Sequence, residues 1–442
     1  MSGSLFDRNG LRAGVASARV AAAGPLRYGV DGEFWAYADG VWRPAGREVQ
    51  RRIVRTLGEQ YRPAHAATIR DVLAATLDEQ HVAPVTGYLN MRNGMVRWDH
   101  PGEPALLEHH EEYGSTVQLP VAWRWDADCP AFERFLAEAV PEDDHQRVWE
   151  VLGYLMMSGN PLQRMVLLTG GGGNGKGVFL HVVRALLGMV NVANVPLHDF
   201  SGNQFASADI FGKLANICGD IDTTFIEQTG QIKQISGEDD VRAERKFGQP
   251  FTFEFWGKML FSANAIPSSA DGSAGWTRRW EVIQFPNAPT RPDRSLKGRL
   301  VEPESLEGIA VKAVWALRSL MERGDFDRGE TASLAHHEFA KRSNKILAWI
   351  DDDMYFRADS AYKRRDLLMW FRAWLEHDSP RSSMGAQTFY ERLRQVPGLR
   401  EVKRRGEYMF VGLGRKADAH WVDLTDSETA PEEGGQTELP LG

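Results

Sequence analysis

The first 160 residues carry short alternating patterns of apolar and polar side chains between longer amphipathic stretches. Asp39-Gly40 and Asn93-Gly94 each stand between two alternating segments, and such dipeptides are typical of tight β-hairpin turns. Apolar residues recur at helical spacing over 49–60, 66–79 and 129–157. We therefore expect a small α+β region made of hairpins and helices.

A second pattern begins at residue 165, where short apolar runs alternate with helical segments. Runs of this kind predict strands that are buried on both faces, as in an α/β fold with a parallel sheet. The predicted strands are 165–168, 214–222, 259–264 and 282–285.

The C-terminal part of the chain has a third pattern. Residues 300–340 show the apolar spacing of helices, and 346–411 predict helices followed by a terminal strand pair around Arg405-Gly406. That size and pattern are typical of a small winged-helix module. After residue 418 the chain is polar and acidic, which predicts a solvated segment without a packed core.

The composition narrows the class of protein. Of 442 residues, 43% are apolar and 25% are charged, as in globular proteins. No run approaches the ~20 apolar residues of a membrane span, and the first residues lack the layout of a signal peptide. With only Cys129 and Cys218, a disulfide framework and a cysteine zinc site are excluded. A cytoplasmic protein without a membrane partner is predicted.

The net charge of −8 is unevenly distributed. Residues 419–442 contain six acids and no Lys or Arg, whereas 341–418 contain seventeen Lys and Arg against eleven Asp and Glu. A chain that is acidic overall can therefore still bind nucleic acid through a local basic surface.

A glycine-rich loop, residues 170–176, separates the first strand of the α/β unit from a helix predicted over 178–187. It fits G-x-x-x-x-G-K, in which backbone N–H groups surround phosphate oxygens and the lysine reaches the β- and γ-phosphates. Gly177 replaces the usual Ser or Thr, so a hydroxyl ligand of Mg²⁺ is missing. Nucleotide contacts are predicted for Gly170, Gly171, Gly172, Gly173, Asn174, Gly175, Lys176, Gly177 and Val178.

Polar residues end the second and third strands of this unit. Asp220 and Asp222 are two positions apart, hence on one face of an extended chain, and are candidates to coordinate a metal or activate water. Asn264 follows the third strand, where an amide beside a γ-phosphate can orient the attacking water. A simple surface turn is the alternative interpretation of both segments.

Two basic segments complete the candidate chemistry. Arg278 and Arg279 precede the fourth strand and are either an exposed basic pair or a finger that enters a neighbouring subunit's site. The mixed-charge segment 233–246 is either a solvated surface or a hairpin that projects into the pore of a ring ATPase. Its candidate DNA-binding residues are Lys233, Arg242, Arg245 and Lys246.

The order of these elements resembles superfamily 3 helicases, specifically the poxvirus-like helicase domain at the C-terminal end of phage and plasmid primases. The matching elements are the loop 172–176, the Asp220 strand, the basic segment, the 261–267 strand end and 278–280. Upstream, 93–96, 119–120 and 129–132 resemble the small domain that precedes the helicase in that family. The resemblance covers about residues 85–290, and the winged-helix segment more loosely.

The resemblance implies an α/β fold with an AAA+-like P-loop ATPase core. It further implies an ATP- and Mg²⁺-dependent helicase that forms a ring, usually a hexamer, and translocates on single-stranded DNA. Lys176 would bind phosphates, Asp220 (with Asp222 as second candidate) would serve the metal and water, and Asn264 would be the sensor. Arg279 or Arg278 would be the finger.

The predicted organisation has six segments. They are a flexible N-terminus (1–25), an α+β and helical region (26–160), the helicase core (161–290), a helical packing segment (291–340), a winged-helix-like module (341–418) and an acidic disordered tail (419–442).

Three functions remain open from the sequence. The leading one is a phage, prophage or plasmid replication helicase on single-stranded and forked DNA. A separate primase or polymerase is an expected partner, because the first ~120 residues are too short for a polymerising primase domain. Gly177 favours a second function, a nucleotide-dependent DNA-binding initiator with weak or no hydrolysis. A small-molecule P-loop kinase would need a lid and an acceptor pocket that the sequence does not locate.

Overall fold

A computed structural model of the chain describes residues 4–77, 86–203, 205–221, 226, 228–246, 248–267, 269, 271, 273–288, 293–378 and 384–419. The predicted tail from 420 onward and Asp222 lie outside these residues. No helix in the described ranges is long and apolar enough to cross a membrane. The chain divides into one unit of Met1–Asp222, Gly230–Ala265 and Arg278–His336, and a second of Thr223–Thr229, Ile266–Thr277 and His337–Gly442.

The first part of the larger unit consists of small antiparallel sheets and helices. The strands pair as β1-β2, β3-β4-β5 and β6-β7-β8. The strands are β1 (Phe6–Asp7), β2 (Gly10–Leu11), β3 (Leu26–Tyr28), β4 (Phe34–Ala38), β5 (Val41–Pro44), β6 (Tyr88–Met91), β7 (Gly94–Arg97) and β8 (Ala105–Leu107). The helices are α1 (Ala13–Ala21), α2 (Gly46–Leu57), α3 (Pro63–Thr76), α4 (Pro130–Ala139) and α5 (His145–Met156).

Both hairpins predicted from the turn dipeptides are present. Asp39 and Gly40 have φ of 52° and 84°, the left-handed geometry of a tight two-residue turn between β4 and β5. The second turn lies one residue earlier than expected: Arg92-Asn93 connects the paired strands β6 and β7, and Gly94 is the first residue of β7, opposite Met91. The dipeptides therefore predicted both hairpins, the first at its exact position and the second to within one residue.

Two expectations for this region are corrected by the structure. The described part of the expected flexible N-terminus, residues 4–25, is ordered, because α1 buries Ala16 and Val20 in an apolar cluster with α2 and α3. Small residues there allow close packing of helices. The helical pattern expected over 129–157 is present but divided into α4 and α5, since Pro141 lacks the N–H that would continue α4.

The centre of the larger unit is a five-stranded parallel sheet in the order β10-β11-β14-β9-β15. Every residue of β9 and β14 is buried, which explains why their sequences are mostly apolar. The strands are β9 (Met165–Thr169), β10 (Val192–Ala193), β11 (Ala215–Cys218), β14 (Lys258–Ala263) and β15 (Trp280–Gln284).

Helices and one hairpin surround this sheet. The antiparallel hairpin, β12 (Asp240–Ala243) with β13 (Phe251–Glu254), interrupts the sequence between β11 and β14. The helices of the larger unit are α6 (Lys176–Leu187), α7 (Asp199–Gly202), α8 (Ala206–Asp209), α9 (Gly230–Ser236), α11 (Leu296–Leu300), α12 (Pro303–Arg323) and the first half of α13 (Glu330–Ser343). Helices α4, α5, α6 and α12 contribute to one apolar core with the sheet.

The smaller unit has its own apolar core and a three-stranded antiparallel sheet in the order β16-β18-β17. Its elements are α10 (Ala274–Thr277), α14 (Lys345–Asp353), β16 (Met354–Lys363), α15 (Arg364–Asp378), α16 (Ala386–Gln395), β17 (Arg400–Arg404), β18 (Glu407–Arg415) and α17 (Lys416–Ala419). The strand pair predicted around Arg405-Gly406 is present as β17-β18. Strand β16 was not predicted, because most of its residues are partly or fully exposed and its register shifts between Arg357 and Ala361.

Candidate functional site

The glycine loop connects the carboxyl end of β9 to the start of α6. Gly170 and Gly175 have φ of 143° and 96°, conformations that L side chains rarely adopt. A Cβ on Gly170 would lie 2.2 Å from the Nδ2 atom of Asn174 and 2.3 Å from the carbonyl oxygen of Phe285. Gly172, in contrast, faces open space. The loop therefore requires glycine at some of its positions and tolerates a side chain at others.

Asn174 ties this loop to the neighbouring strand. Its Nδ2 donates a hydrogen bond of 2.5 Å to the carbonyl oxygen of Phe285, directly after β15. Its Oδ1 accepts from the Nζ of Lys176 at 3.1 Å. Because the side chain is buried, these contacts hold the curvature of the loop.

Lys176 is the first residue of α6, and its side chain turns back over the loop. Its Nζ donates to the carbonyl oxygens of Gly170 (2.6 Å) and Gly171 (3.0 Å) and to the Oδ1 of Asn264 (3.4 Å). Burial lowers the pKa of this ammonium, and the nearby charge of Asp220 opposes that shift. A partly desolvated cation is thus placed at the centre of the site.

The amino end of α6 presents backbone donors to the same space. No backbone acceptor within the described part of the chain takes the N–H groups of residues 173–177. The first N–H groups of a helix have no intrahelical partner, and the helix dipole favours an anion there. Together with Lys176, they form a site suited to phosphate.

Asp220 lies just beyond β11, and the structure corrects the geometry predicted for it. The strand ends at Cys218, and Asp220 has a φ of 49°, so the chain is not extended through this residue. Its backbone N–H donates to the Oγ of Ser262 at 3.1 Å, which holds the turn against β14. Its carboxylate is exposed and near enough to the Lys176 ammonium for its charge to oppose the lowering of that group's pKa by burial.

Lys176, Asp220 and Asn264 therefore follow three neighbouring parallel strands, β9, β11 and β14, at one edge of the sheet. The chain passes from β9 to β10 at one end of the sheet and from β14 to β15 at the other end, and ligands of open α/β sheets bind where neighbouring connections diverge in this way. The structure brings these three residues together. Their chemical roles remain predictions.

The residues present are compatible with Mg²⁺ only when a nucleotide supplies further oxygens. The described residues include no group of three or more His, Cys, Asp or Glu side chains that could hold a metal ion. Asp220 supplies a carboxylate, whereas Gly177 supplies no side-chain oxygen. Since Mg²⁺ is commonly held by one or two carboxylates, phosphate oxygens and waters, this donor set fits it.

A cavity of about 180 Å³ adjoins the loop and shares Gly173, Asn174 and Gly175 with it. Phe135 of α4 lies directly under the loop, since a Cβ on Gly175 would be 3.1 Å from its ring. The remaining apolar lining is Ala139, Val178 and Leu296, and the polar lining is Glu138, Asn287 and Asp293.

Arg278 and Arg279 lie at the opposite, amino edge of the sheet. The carbonyl oxygen of Arg279 accepts from the backbone N–H of Met165, the first residue of β9. Five residues of strand span about 16 Å at ~3.3 Å each, so these arginines are remote from the glycine loop of their own chain. The Oε1 of Gln163 accepts from Arg278 at 2.7 Å and from Arg279 at 3.5 Å.

Next to these arginines is a buried ionic cluster centred on Glu281 of β15. Its carboxylate lies 3.6 Å from Arg147, 3.4 Å from Arg164 and 3.3 Å from Arg328. Burial raises the pKa of Glu281, and the three guanidinium groups oppose that shift. The cluster anchors α5 and the segment before α13 to the amino edge of the sheet.

The basic segment is distributed over a helix and a hairpin. Lys233 lies in α9, Arg242 is exposed on β12, and Lys246 is exposed in the loop between β12 and β13. Arg245 is less available than expected, because its Nη2 lies 3.3 Å from the Oδ2 of Asp31. Its guanidinium also lies over the ring of Phe251 at 5.2 Å.

Sequence analysis missed several residues that hold these groups in place. They contribute through contacts between distant positions, which no local pattern indicates. They are Gln163, Ser236 (whose Oγ accepts from the Nε of Arg279 at 3.2 Å), Ser262, Asp31 and Phe135.

Two family models match parts of the chain. Residues 18–141 match a family described as D5 N terminal like, and residues 168–279 match a family of unknown function, DUF5906. Both domains are found in phage and plasmid proteins of the primase-helicase type. No curated protein matches the chain.

Solved structures support the fold. The A form apo structure of the NrS-1 C-terminal region aligns with a TM-score of 0.50 at 9% identity, over 90% of this chain and 98% of that chain. A second apo structure of this region covers 90% of this chain and 99% of its own, at 10% identity and a TM-score of 0.47. The chain thus shares domains with phage and plasmid replication proteins and shares its fold with the first of these structures.

Proposed function

We propose that this chain is an ATP-dependent DNA helicase of the phage, prophage or plasmid replication type. The observation that carries the proposal is the convergence of Lys176, Asp220 and Asn264 beside a glycine loop at the carboxyl edge of a parallel sheet. A cation, a carboxylate and an amide beside unpaired backbone donors are the groups that phosphoryl transfer to water requires.

Each residue has a role in this proposal. The N–H groups of residues 173–177 bind phosphate oxygens, and Lys176 exchanges the carbonyls of Gly170 and Gly171 for the β- and γ-phosphates. Asn264, 3.4 Å from the ammonium, is positioned to orient the attacking water. Asp220 would hold Mg²⁺, which when bound neutralises charge that develops on the phosphate oxygens.

The cavity beside the loop is proposed to take the nucleoside. Phe135, Ala139, Val178 and Leu296 offer apolar walls for a base, and the cavity is continuous with the loop that would hold the phosphates. A nucleotide could therefore place its base against α4 while its triphosphate extends along the glycine loop.

The arginines at the amino edge favour assembly as a ring. Because β9 separates Arg278 and Arg279 from the glycine loop of their own chain, a catalytic role for either requires the site of another subunit. A head-to-tail interface that closes into a ring, proposed as hexameric, brings opposite edges of neighbouring subunits together. Arg279, half-buried and held by Gln163 and Ser236, is the better supported finger.

The β12–β13 hairpin is the proposed contact with single-stranded DNA. Arg242 and Lys246 are exposed on it, whereas Arg245 would first have to leave Asp31. Phosphate binding by such cations is electrostatic and independent of sequence.

The C-terminal module retains its winged-helix interpretation as part of the proposal. Its order α14-β16-α15-α16-β17-β18 places a helix pair between the first strand and a terminal hairpin. Forked DNA is the expected substrate, and a separate primase or polymerase is the expected partner.

A nucleotide-dependent DNA-binding initiator with weak or no hydrolysis is the second candidate. It is favoured by Gly177, which leaves the start of α6 without a hydroxyl ligand for Mg²⁺. Steady-state ATP hydrolysis with and without single-stranded DNA separates the two. The helicase predicts turnover that DNA stimulates and that Lys176→Ala removes, whereas the initiator predicts nucleotide-dependent DNA binding without stimulated turnover.

A further inference from the structure

One end of the smaller unit concentrates basic side chains from four elements. We define the basic end as the last residue of β16, the start of α15, Arg394 near the end of α16, and the hairpin segment 401–407 from β17 to the start of β18. It combines seven cations with three carboxylates. The cations are Lys363, Arg364, Arg365, Arg394, Lys403, Arg404 and Arg405, and the carboxylates are Asp366, Glu401 and Glu407.

The contacts within the basic end show that these elements meet there. Glu401 of β17 lies 3.1 Å from Arg364 of α15 and accepts a hydrogen bond of 2.9 Å from Arg394 of α16. Glu407 of β18 lies 2.7 Å from Lys363 of β16. Glu401 is therefore shared by two cations, and Glu407 pairs with one.

Arg404 and Arg405 are the cations most available to a ligand. Both are exposed at the turn of the β17–β18 hairpin, and no ion pair is found for either within the described residues. Arg405 has a φ of 46°, which keeps the turn tight. The hairpin thus ends in two adjacent guanidinium groups that face solvent.

The charges along α15 oppose what helix stability favours. Three bases, Lys363, Arg364 and Arg365, stand at its amino end beside one acid, Asp366. Glu376 and Asp378 stand at its carboxyl end beside His377. The helix dipole favours acids at the amino end and bases at the carboxyl end, by about 0.3–1 kcal/mol for each charge. Helix stability therefore does not explain this arrangement, and departures of this kind are expected at functional sites.

We infer that the basic end binds the phosphate backbone of duplex DNA without reading its sequence. The excess of cations supplies the charge that phosphate contacts require. This contact is distinct from the proposed pore contact with single-stranded DNA and needs no bound nucleotide, so it does not depend on the proposed ATP hydrolysis.

The aromatic residues of the basic end favour a duplex over a single strand. The guanidinium of Arg364 lies 3.9 Å from the ring centroid of Tyr390 and 5.2 Å from that of Tyr408, and Lys403 lies 5.3 Å from Tyr408. Because cations occupy these rings, they do not form the stacking platform on which single-stranded bases bind. With base stacking excluded, phosphate groups are the part of DNA that the basic end can bind.

The test measures binding of the full chain to two unrelated duplexes of 20 base pairs over a range of KCl concentrations, without nucleotide. Arg404→Gln with Arg405→Gln removes two exposed charges. We expect the log–log salt slope to fall by about 1.8, at ~0.9 for each lost phosphate contact, equally for both duplexes. Binding of a single strand of the same length should change much less.

Arg357→Gln with Arg372→Gln is the matched control, since both residues are exposed in the same unit and lie outside the basic end. An unchanged slope in this control supports the inference. An equal loss in the control, a loss for one duplex only, or an equal loss for the single strand would overturn it. Duplex binding retained by Lys176→Ala would separate this inference from the proposed ATPase, because that variant disables only the nucleotide site.

Discussion

The Nζ of Lys176 lies 3.4 Å from the Oδ1 of Asn264, although 88 positions separate the two residues in the chain. The contact joins the helix that follows β9 to the end of β14, the adjacent strand. A phosphate that binds at the glycine loop would therefore meet the lysine and the amide together. This pair is the geometric basis of the proposed hydrolysis.

Gly170→Ala is expected to impair folding of the loop, whereas Gly172→Ala is expected to leave it intact. At position 170 a methyl group would overlap Asn174 and the carbonyl of Phe285, and the φ of 143° is unfavourable for alanine. A cost of about 1–3 kcal/mol is usual for a residue forced into such backbone geometry. Urea denaturation and nucleotide binding of the two variants measure the difference. Equal behaviour would show that the loop does not need the geometry described.

Gly177→Ser is expected to fold normally and to hydrolyse ATP at least as fast as the unmodified chain. A Cβ at this position meets open space, and serine would restore an oxygen near the proposed metal. Gly177→Ala is the control, because it changes the backbone preference without adding oxygen. It should raise stability by up to ~1 kcal/mol, as expected for Gly→Ala in a helix. Loss of ATPase in both variants would mean that the loop needs glycine at this position.

Glu281→Ala is expected to lower stability by about 3–5 kcal/mol, because it removes the carboxylate that buried Arg147 and largely buried Arg164 share with the partly exposed Arg328. Glu281→Gln should cost less, since the amide retains an acceptor oxygen. Glu322→Ala, at an exposed position of α12, serves as the control for removal of one negative charge. Urea titrations compare the variants. A loss for Glu281→Ala no larger than that of the control would exclude an anchoring role for this cluster.

The sequence predicted those parts of the fold that a short sequence pattern indicates by itself. Turn dipeptides located both N-terminal hairpins, and continuous apolar runs located β9 and β14, since these strands are buried on both faces. Strand β10 was missed because it has only two residues. The exposed strand β16 was missed because the alternation of its side chains is weak.

The candidate site was predictable as far as its residues follow strand ends. Parallel topology brings such ends to one edge, which is why Lys176, Asp220 and Asn264 could be proposed together. The contacts that hold them were not predictable, since Gln163 reaches Arg278 across 115 positions and Arg245 reaches Asp31 across 214. Pairings of that range depend on packing of the whole unit.

Mixing Lys176→Ala with Arg279→Ala is expected to restore part of the ATPase that each variant lacks alone. If Arg279 acts on the neighbouring subunit, random exchange leaves roughly one interface in four with both residues intact. About a quarter of the original turnover should return if each intact site hydrolyses ATP independently of its neighbours. Less should return if hydrolysis is coordinated around the ring. Sedimentation in the presence of ATP is the control. If the protein sediments as a single chain and mixing restores no ATPase, Arg278 and Arg279 are an ordinary basic pair and do not act in a neighbouring subunit's site.

Strand separation on a forked duplex tests the proposed helicase most directly. The fork carries a fluorophore and a quencher on opposite strands, and release of one strand is followed after addition of ATP and Mg²⁺. The account predicts strand release that requires ATP and is absent for Lys176→Ala, while that variant still binds the fork. Strand release by Lys176→Ala at the original rate, or ATP hydrolysis without any strand release, would contradict it.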